Sequence, residues 1–187
     1  MQTREQRHAQ PRLIAVMGAE CTGKTTLAQA LAKQLGGLWV PEYLREFCLH
    51  HARTPLAHEQ RQIVLKQLRS QRATLAQART QRLGWVVCDT TALQTACYSD
   101  YYFSRTDLYP SAQRLHQRYA LTLLLAPDLP WQADGLQRDG QEAQHAVHAL
   151  LGAALRQGGH PSVLMGGSGA LRLAAALEAI RSSSDLQ

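Results

Sequence analysis

Apolar residues occur along the chain in two alternating patterns. Short unbroken runs, Leu13–Met17, Leu38–Val40, Trp85–Asp89 with its apolar first four residues, Ala120–Leu125 and Ser162–Met165, are each followed by a longer stretch with apolar positions at helical spacing. Unbroken runs of this length predict strands buried on both faces, and the spaced stretches predict amphipathic helices. The helices are expected from Gly23 to about Leu35, over Leu44–His51, over about 56–82, and over Thr90–Ser99, Ser111–Arg118, Gln141–Arg156 and Leu171–Arg181. Gly36-Gly37 ends the first helix as a left-handed cap. Thr54, followed by Pro55, is the expected cap of the long helix, whose Ile63, Val64, Leu68 and Leu75 share one face. Asp100–Tyr109 reads as an irregular stretch whose aromatics line either the pocket or the core, the core being slightly favoured, and Pro127–Gly140 as a loop.

Strand alternating with helix five times over predicts an α/β fold, a parallel sheet of five strands with helices on both faces. No composition break or internal repeat divides the chain. The expected organisation is a leader at 1–11, one domain at 12–181 and a frayed tail at 182–187. The long helical connection between the second and third strands suits a substrate-binding insertion.

Composition narrows the function classes. No apolar run reaches the length of a membrane span, and the polar, basic residues 1–11 lack the apolar centre of an export signal. Cys21, Cys48, Cys88 and Cys97 show no C-x-x-C spacing, which fits reduced thiols in the cytoplasm, with Cys88 a small core residue of its strand. The net charge of +6 is carried almost wholly by arginine. These arginines are scattered among Gln and Ala without aromatic interleaving, which argues against a nucleic-acid surface. The expected partner is a small molecule, with no membrane contact. Association with a second copy is left open.

The chemistry concentrates where the first strand ends. Gly18-Ala19-Glu20-Cys21-Thr22-Gly23-Lys24-Thr25 has the spacing G-x-x-x-x-G-K-[ST] and runs on through Thr26 into a helix. Glycines let successive backbone N–H groups converge on phosphate oxygens, and the helix N-terminus adds its unpaired donors and dipole. Lys24 is placed for the β- and γ-phosphates of ATP and Thr25 for Mg²⁺. Only three lysines occur in the whole chain, so this coincidence of motif and context is not a by-product of composition.

Three further candidates lie at strand ends. Asp89 closes the third strand, where a carboxylate completes the Mg²⁺ shell opposite Thr25; the alternative is a helix-capping Asp-Thr pair. Glu42 follows the second strand, where it would accept the proton of an attacking hydroxyl; the alternative is a carboxylate favoured by the helix dipole. Arg138, in the loop after the fourth strand, is the candidate to close over the phosphates; the alternative is a solvated arginine.

Taken together, Gly18–Thr26, Pro41–Phe47 (PEYLREF), Cys88–Thr91 (CDTT) and Pro127–Arg138 (PDLPWQADGLQR) resemble the ribosylnicotinamide kinase domain of the NadR type and its stand-alone ATPase relatives, over roughly Arg12 to Ile180. The resemblance implies a phosphate-loop kinase fold and transfer of the ATP γ-phosphate to the 5′-hydroxyl of nicotinamide riboside. It places Glu42, Tyr43, Arg45 and Glu46 in the Glu-Tyr-x-Arg-Glu segment and Asp89 at the strand-end aspartate. Trp131, Asp134 and Gly135 match the motif after the fourth strand, and Gln67 falls near a helix glutamine. Tyr43, Arg45, Gln67, Trp131 and Asp134 are therefore the expected acceptor-site residues. Two positions depart from the pattern: Pro41 stands where an aromatic is expected before Glu-Tyr, and Gln137 displaces the loop arginine to Arg138.

Two other readings compete: a kinase for a different nucleoside or nucleotide on the same fold, and a regulatory ATPase with no metabolite acceptor. A guanine-reading switch is excluded in its usual form, because the chain contains no Asn and so no Asn-Lys-x-Asp.

Overall fold

The structure is a computed structural model and describes residues 10–130 and 140–184. Strands β1 (Arg12–Met17), β2 (Leu38–Val40), β3 (Trp85–Asp89), β4 (Tyr119–Leu125) and β5 (Ser162–Met165) form one parallel sheet in the order β2-β3-β1-β4-β5. Helices α1 (Lys24–Gln34), α2 (Tyr43–His51), α3 (Gln60–Thr80), α4 (Ala92–Phe103), α5 (Tyr109–His116), α6 (Gly140–Gln157) and α7 (Gly169–Ser184) connect and cover it.

The alternation of side chains along β1 explains the two layers. Leu13, Ala15 and Met17 join a core with residues of α4, α5 and α6, whereas Ile14 and Val16 join a second core with α1 and α7. A strand buried on both faces has no polar side to show, which is why its sequence is continuously apolar. The strand order puts β1 at the centre, so the loops after β1, β3 and β4 meet at one carboxyl edge, where ligands bind in open α/β sheets.

Four local expectations are corrected. Thr54 does not cap the long helix. Its N-terminus is set by Glu59, which accepts the Leu56 N–H at 2.8 Å and is gripped by the Arg53 fork at 2.6 and 2.8 Å. A 3-10 turn at Ala57–Glu59 therefore precedes α3. Asp100–Phe103 is helical, not irregular, because α4 continues to a left-handed cap at Ser104, φ 52°. Tyr98 and Tyr102, four residues apart, stack at 5.9 Å along it. Tyr101 and Tyr102 are 38% and 39% exposed, so the aromatic stretch is not core as a whole. Helix α5 starts earlier and ends earlier than expected, because Pro110 occupies its first turn and Tyr119 is drawn into β4. There the Tyr119 ring is buried and its hydroxyl donates to Gln71 Oε1 at 3.0 Å. Helix α7 runs on to Ser184, past the start of the expected tail.

A buried histidine pair sits where α5 meets β4 and the approach to β5. His116 Nε2 lies 2.8 Å from Thr122 Oγ1, its ring meets that of His160 at 4.6 Å, and its Nδ1 has no partner. Burial, aided by His160, pushes the His116 pKa down to about 3. The unfolded chain binds this proton at about pH 6.5, so between these values the folded state holds fewer protons and loses stability as pH falls. Relative to a His116→Gln variant, the wild-type protein is expected to lose about 1.4 kcal/mol per pH unit below about pH 6.5. Urea unfolding of both proteins at pH 7.5, 6 and 5 measures this. Parallel curves would remove His116 as the cause. The comparison also cancels carboxylates that titrate in the same range.

Candidate active site

The turn after β1 has a tightly constrained backbone. Gly23 caps α1 in the left-handed region, φ 78°, a conformation cheap only for glycine. A Cβ on Gly18 would stand 2.7 Å from Thr22 Oγ1, a collision the hydroxyl cannot easily leave because it donates to Ala19 O at 2.8 Å. Lys24 is buried and its ammonium folds back onto the same Ala19 carbonyl at 2.9 Å. Ala19 and Thr22 are buried, Glu20 and Cys21 half-buried, and Thr26 exposed. Cys21 also lies in the left-handed region, φ 55°.

Neighbouring helices brace this loop. From α4, the fully buried Gln94 accepts the Gly18 N–H at 3.1 Å, and from α6, Gln144 donates to Glu20 O at 2.7 Å. From α7, Arg172 donates to Thr22 O at 2.6 Å. The sequence reading missed all three. Their one signal is a polar residue in the buried phase of an otherwise apolar helix.

The sheet register delivers the carboxylates. Val16 of β1 pairs with Asp89 of β3, so Asp89 emerges beside the turn. Asp89 is fully buried, and its Oδ2 accepts from Thr25 Oγ1 at 2.6 Å, while Oδ1 has no partner. Burial first, and then the charge of Glu42, raise the Asp89 pKa to about 6, against the opposing pull of the Thr25 hydroxyl, Lys24 and Arg45. An orphaned buried carboxylate oxygen next to a threonine hydroxyl is a donor set of hard oxygens, which suits Mg²⁺. No cluster of three or more His, Cys, Asp or Glu occurs among the described residues, so a metal here would have to complete its shell from nucleotide and water.

Val40 of β2 pairs with Cys88 of β3, so two residues later Glu42 and Thr90 leave the sheet side by side. Thr90 Oγ1 donates to Glu42 Oε1 at 3.1 Å. Thr90 holds φ 75°, a strained value for a β-branched residue, as the chain turns out of β3. Glu42 is thereby fixed across from Asp89 and is also the residue that precedes α2.

The expected acceptor residues divide. Tyr43 is half-buried at the start of α2. Arg45 is exposed but near enough for its charge to act on Asp89. Gln67 is buried, and its amide is taken up by backbone: Oε1 accepts the Tyr43 N–H at 2.7 Å and Nε2 donates to Pro41 O at 3.1 Å and reaches Asp89 O at 3.5 Å. It is a brace between the ends of β2 and β3. Trp39 packs with the α1 and α7 core, away from this edge. Trp131, Asp134, Gly135 and Arg138 lie outside the described residues. Beside the turn, Ala19, Glu20, Tyr98, Tyr102, Gln144 and Val147 line a small recess with room for about one water molecule. Burial first, and then the charges of Glu42 and Glu20, push the Tyr98 phenol pKa up.

A family model described as an AAA domain matches residues 13–172. No curated protein matches the sequence. Two solved structures of NadR protein, one in complex with NAD and AMP-PNP and one with NR, are 21% and 22% identical to the chain, with TM-scores of 0.78 and 0.79, and each covers 97% of it. The chain spans about half the length of those proteins, 51% and 54%. Thymidylate kinase from Ehrlichia chaffeensis is 15% identical with a TM-score of 0.61, the match covering 92% of this chain and 100% of that one. At such identities the likeness establishes the fold, that of the phosphate-loop kinases.

Proposed function

The chain belongs to the AAA domain family, and on that premise we propose that it is a Mg²⁺-ATP-dependent kinase for the hydroxyl of a small nucleoside-like acceptor, with nicotinamide riboside as the first candidate. The observation that carries the reading is Glu42. A carboxylate held by Thr90 beside the Lys24-Thr25-Asp89 cluster is the group that an attacking acceptor hydroxyl needs to take its proton. The turn amides and Lys24 hold the phosphates, and Thr25 and Asp89 would hold Mg²⁺. When bound, the ion supplies charge neutralisation across the β- and γ-phosphates. Glu42 orients the acceptor hydroxyl and takes its proton. Arg138 remains the proposed closing arginine, and Trp131 and Asp134 proposed acceptor residues.

The residues beside the turn favour a cationic acceptor. The Glu20 carboxylate lies next to the rings of Tyr98 and Tyr102 around a small recess, and negative charge beside aromatic rings is the chemistry that attracts a flat cation such as a pyridinium to its mouth. This offers an aromatic source other than the position held by Pro41. Glu20→Gln is expected to raise KM for nicotinamide riboside about ten-fold and leave KM for a neutral nucleoside within about two-fold, as partial loss of a screened charge attraction requires. Steady-state kinetics on both acceptors is the check. Equal effects on both, or none on either, would move the acceptor elsewhere and favour a kinase for another nucleoside.

A further inference from the structure

Arg172 is a guanidinium buried in the first turn of α7, only 4% exposed. A buried charge needs partners for its donors, and these partners come from three separate segments. Nη1 donates to Thr22 O of the phosphate turn at 2.6 Å, Nε to Gly166 O at 3.3 Å, and Nη2 to the Asp128 carboxylate beyond β4. The second Asp128 oxygen accepts the Gly167 N–H at 2.6 Å. One ion pair therefore ties the turn after β1, the segment after β4 and the turn after β5 into a unit.

The contact to Thr22 O has a consequence on the opposite side of that peptide. In a planar trans peptide the carbonyl and the following N–H point in opposite directions. With the Thr22 carbonyl held toward Arg172, the Gly23 N–H is aimed away from it, into the concave side of the turn. Gly23 is also closed in from the α7 side: a Cβ there would lie 3.4 Å from Leu129 Cδ1 and 3.7 Å from Arg172 Nη1. We propose that Arg172 is a positioning residue for the phosphate site, holding the Thr22–Gly23 peptide so that its N–H faces a polyphosphate, with Asp128 fixing the guanidinium in place. The inference rests on the reading of Gly18–Thr25 as a nucleotide phosphate site.

A lysine at this position keeps the charge but loses the fork that reaches Thr22, Gly166 and Asp128 together. Arg172→Lys is expected to weaken Mg²⁺-ATP about ten-fold, the scale of one charge-assisted hydrogen bond. Inorganic tripolyphosphate, which has no base or sugar, should weaken by the same factor. Calorimetric titration with each probe, beside a thermal melt, reads both. Asp128→Asn leaves Arg172 in place with a weaker partner and should shift both affinities in the same direction by a smaller factor. Unchanged affinities in both variants would overturn the proposal, as would a lowered melting temperature in either variant with binding intact. A loss for ATP but not for tripolyphosphate would also overturn it, because Arg172 would then serve the nucleoside end. Wild-type protein that binds neither probe would instead overturn the phosphate-site reading itself.

Discussion

Glu42→Gln is expected to lower turnover by about 10²–10³-fold while the Kd for Mg²⁺-ATP stays within about two-fold. The amide has nearly the shape of the carboxylate and can still accept from Thr90 Oγ1, now 3.1 Å from Glu42 Oε1. What it loses is the basicity to take a proton from an attacking hydroxyl. The acceptor KM should change little, which separates a base from a binding group. Removing the charge also relieves Asp89, whose pKa Glu42 helps to raise. Nucleotide and metal binding therefore should not suffer. A variant with wild-type turnover would take Glu42 out of the reaction and leave it as the residue preceding α2.

Lys24→Ala is expected to reduce turnover by about 10³-fold and to weaken ATP as well, because the lysine is placed for phosphates in both ground and transition states. Folding should survive. The side chain contributes one hydrogen bond, to Ala19 O, and that carbonyl keeps its bond from Thr22 Oγ1. A circular dichroism melt beside single-turnover kinetics distinguishes lost chemistry from lost structure. Retained turnover would mean that the turn is a structural corner.

The sequence pattern was most informative where a local run determines its own environment. All five strands lie where the apolar runs place them, to within one residue, and the spacing Gly18–Thr25 locates a turn whose backbone is independently required to be glycine-rich. The meeting of Thr25 with Asp89 was legible because a motif and a strand end both point to one sheet edge. What was not legible depends on tertiary partners. Gln94 and Gln144 stand in the buried phase of their helices, but what they bond to is set only when α4 and α6 pack on the turn. Arg172 reads as one more arginine in a basic chain, yet it donates to Thr22 O in the turn after β1. The place of Gln67 between the ends of β2 and β3, with its amide bonded to backbone groups of Tyr43, Pro41 and Asp89, depends on strands far apart in the chain and has no local signal. Thr54 lost to Glu59 because a carboxylate fixed by Arg53 makes a stronger start than a threonine followed by proline.

The central claim is phosphoryl transfer to a hydroxyl acceptor, and ATP labelled on its γ-phosphate tests it most directly. The protein is incubated with labelled Mg²⁺-ATP, with and without nicotinamide riboside and with a panel of neutral nucleosides, and Lys24→Ala serves as the blank. The account predicts label on an acceptor monophosphate, with ADP release that rises with acceptor concentration. Label found only in inorganic phosphate, at a rate the acceptors do not change, would contradict it and identify the site as that of an ATPase.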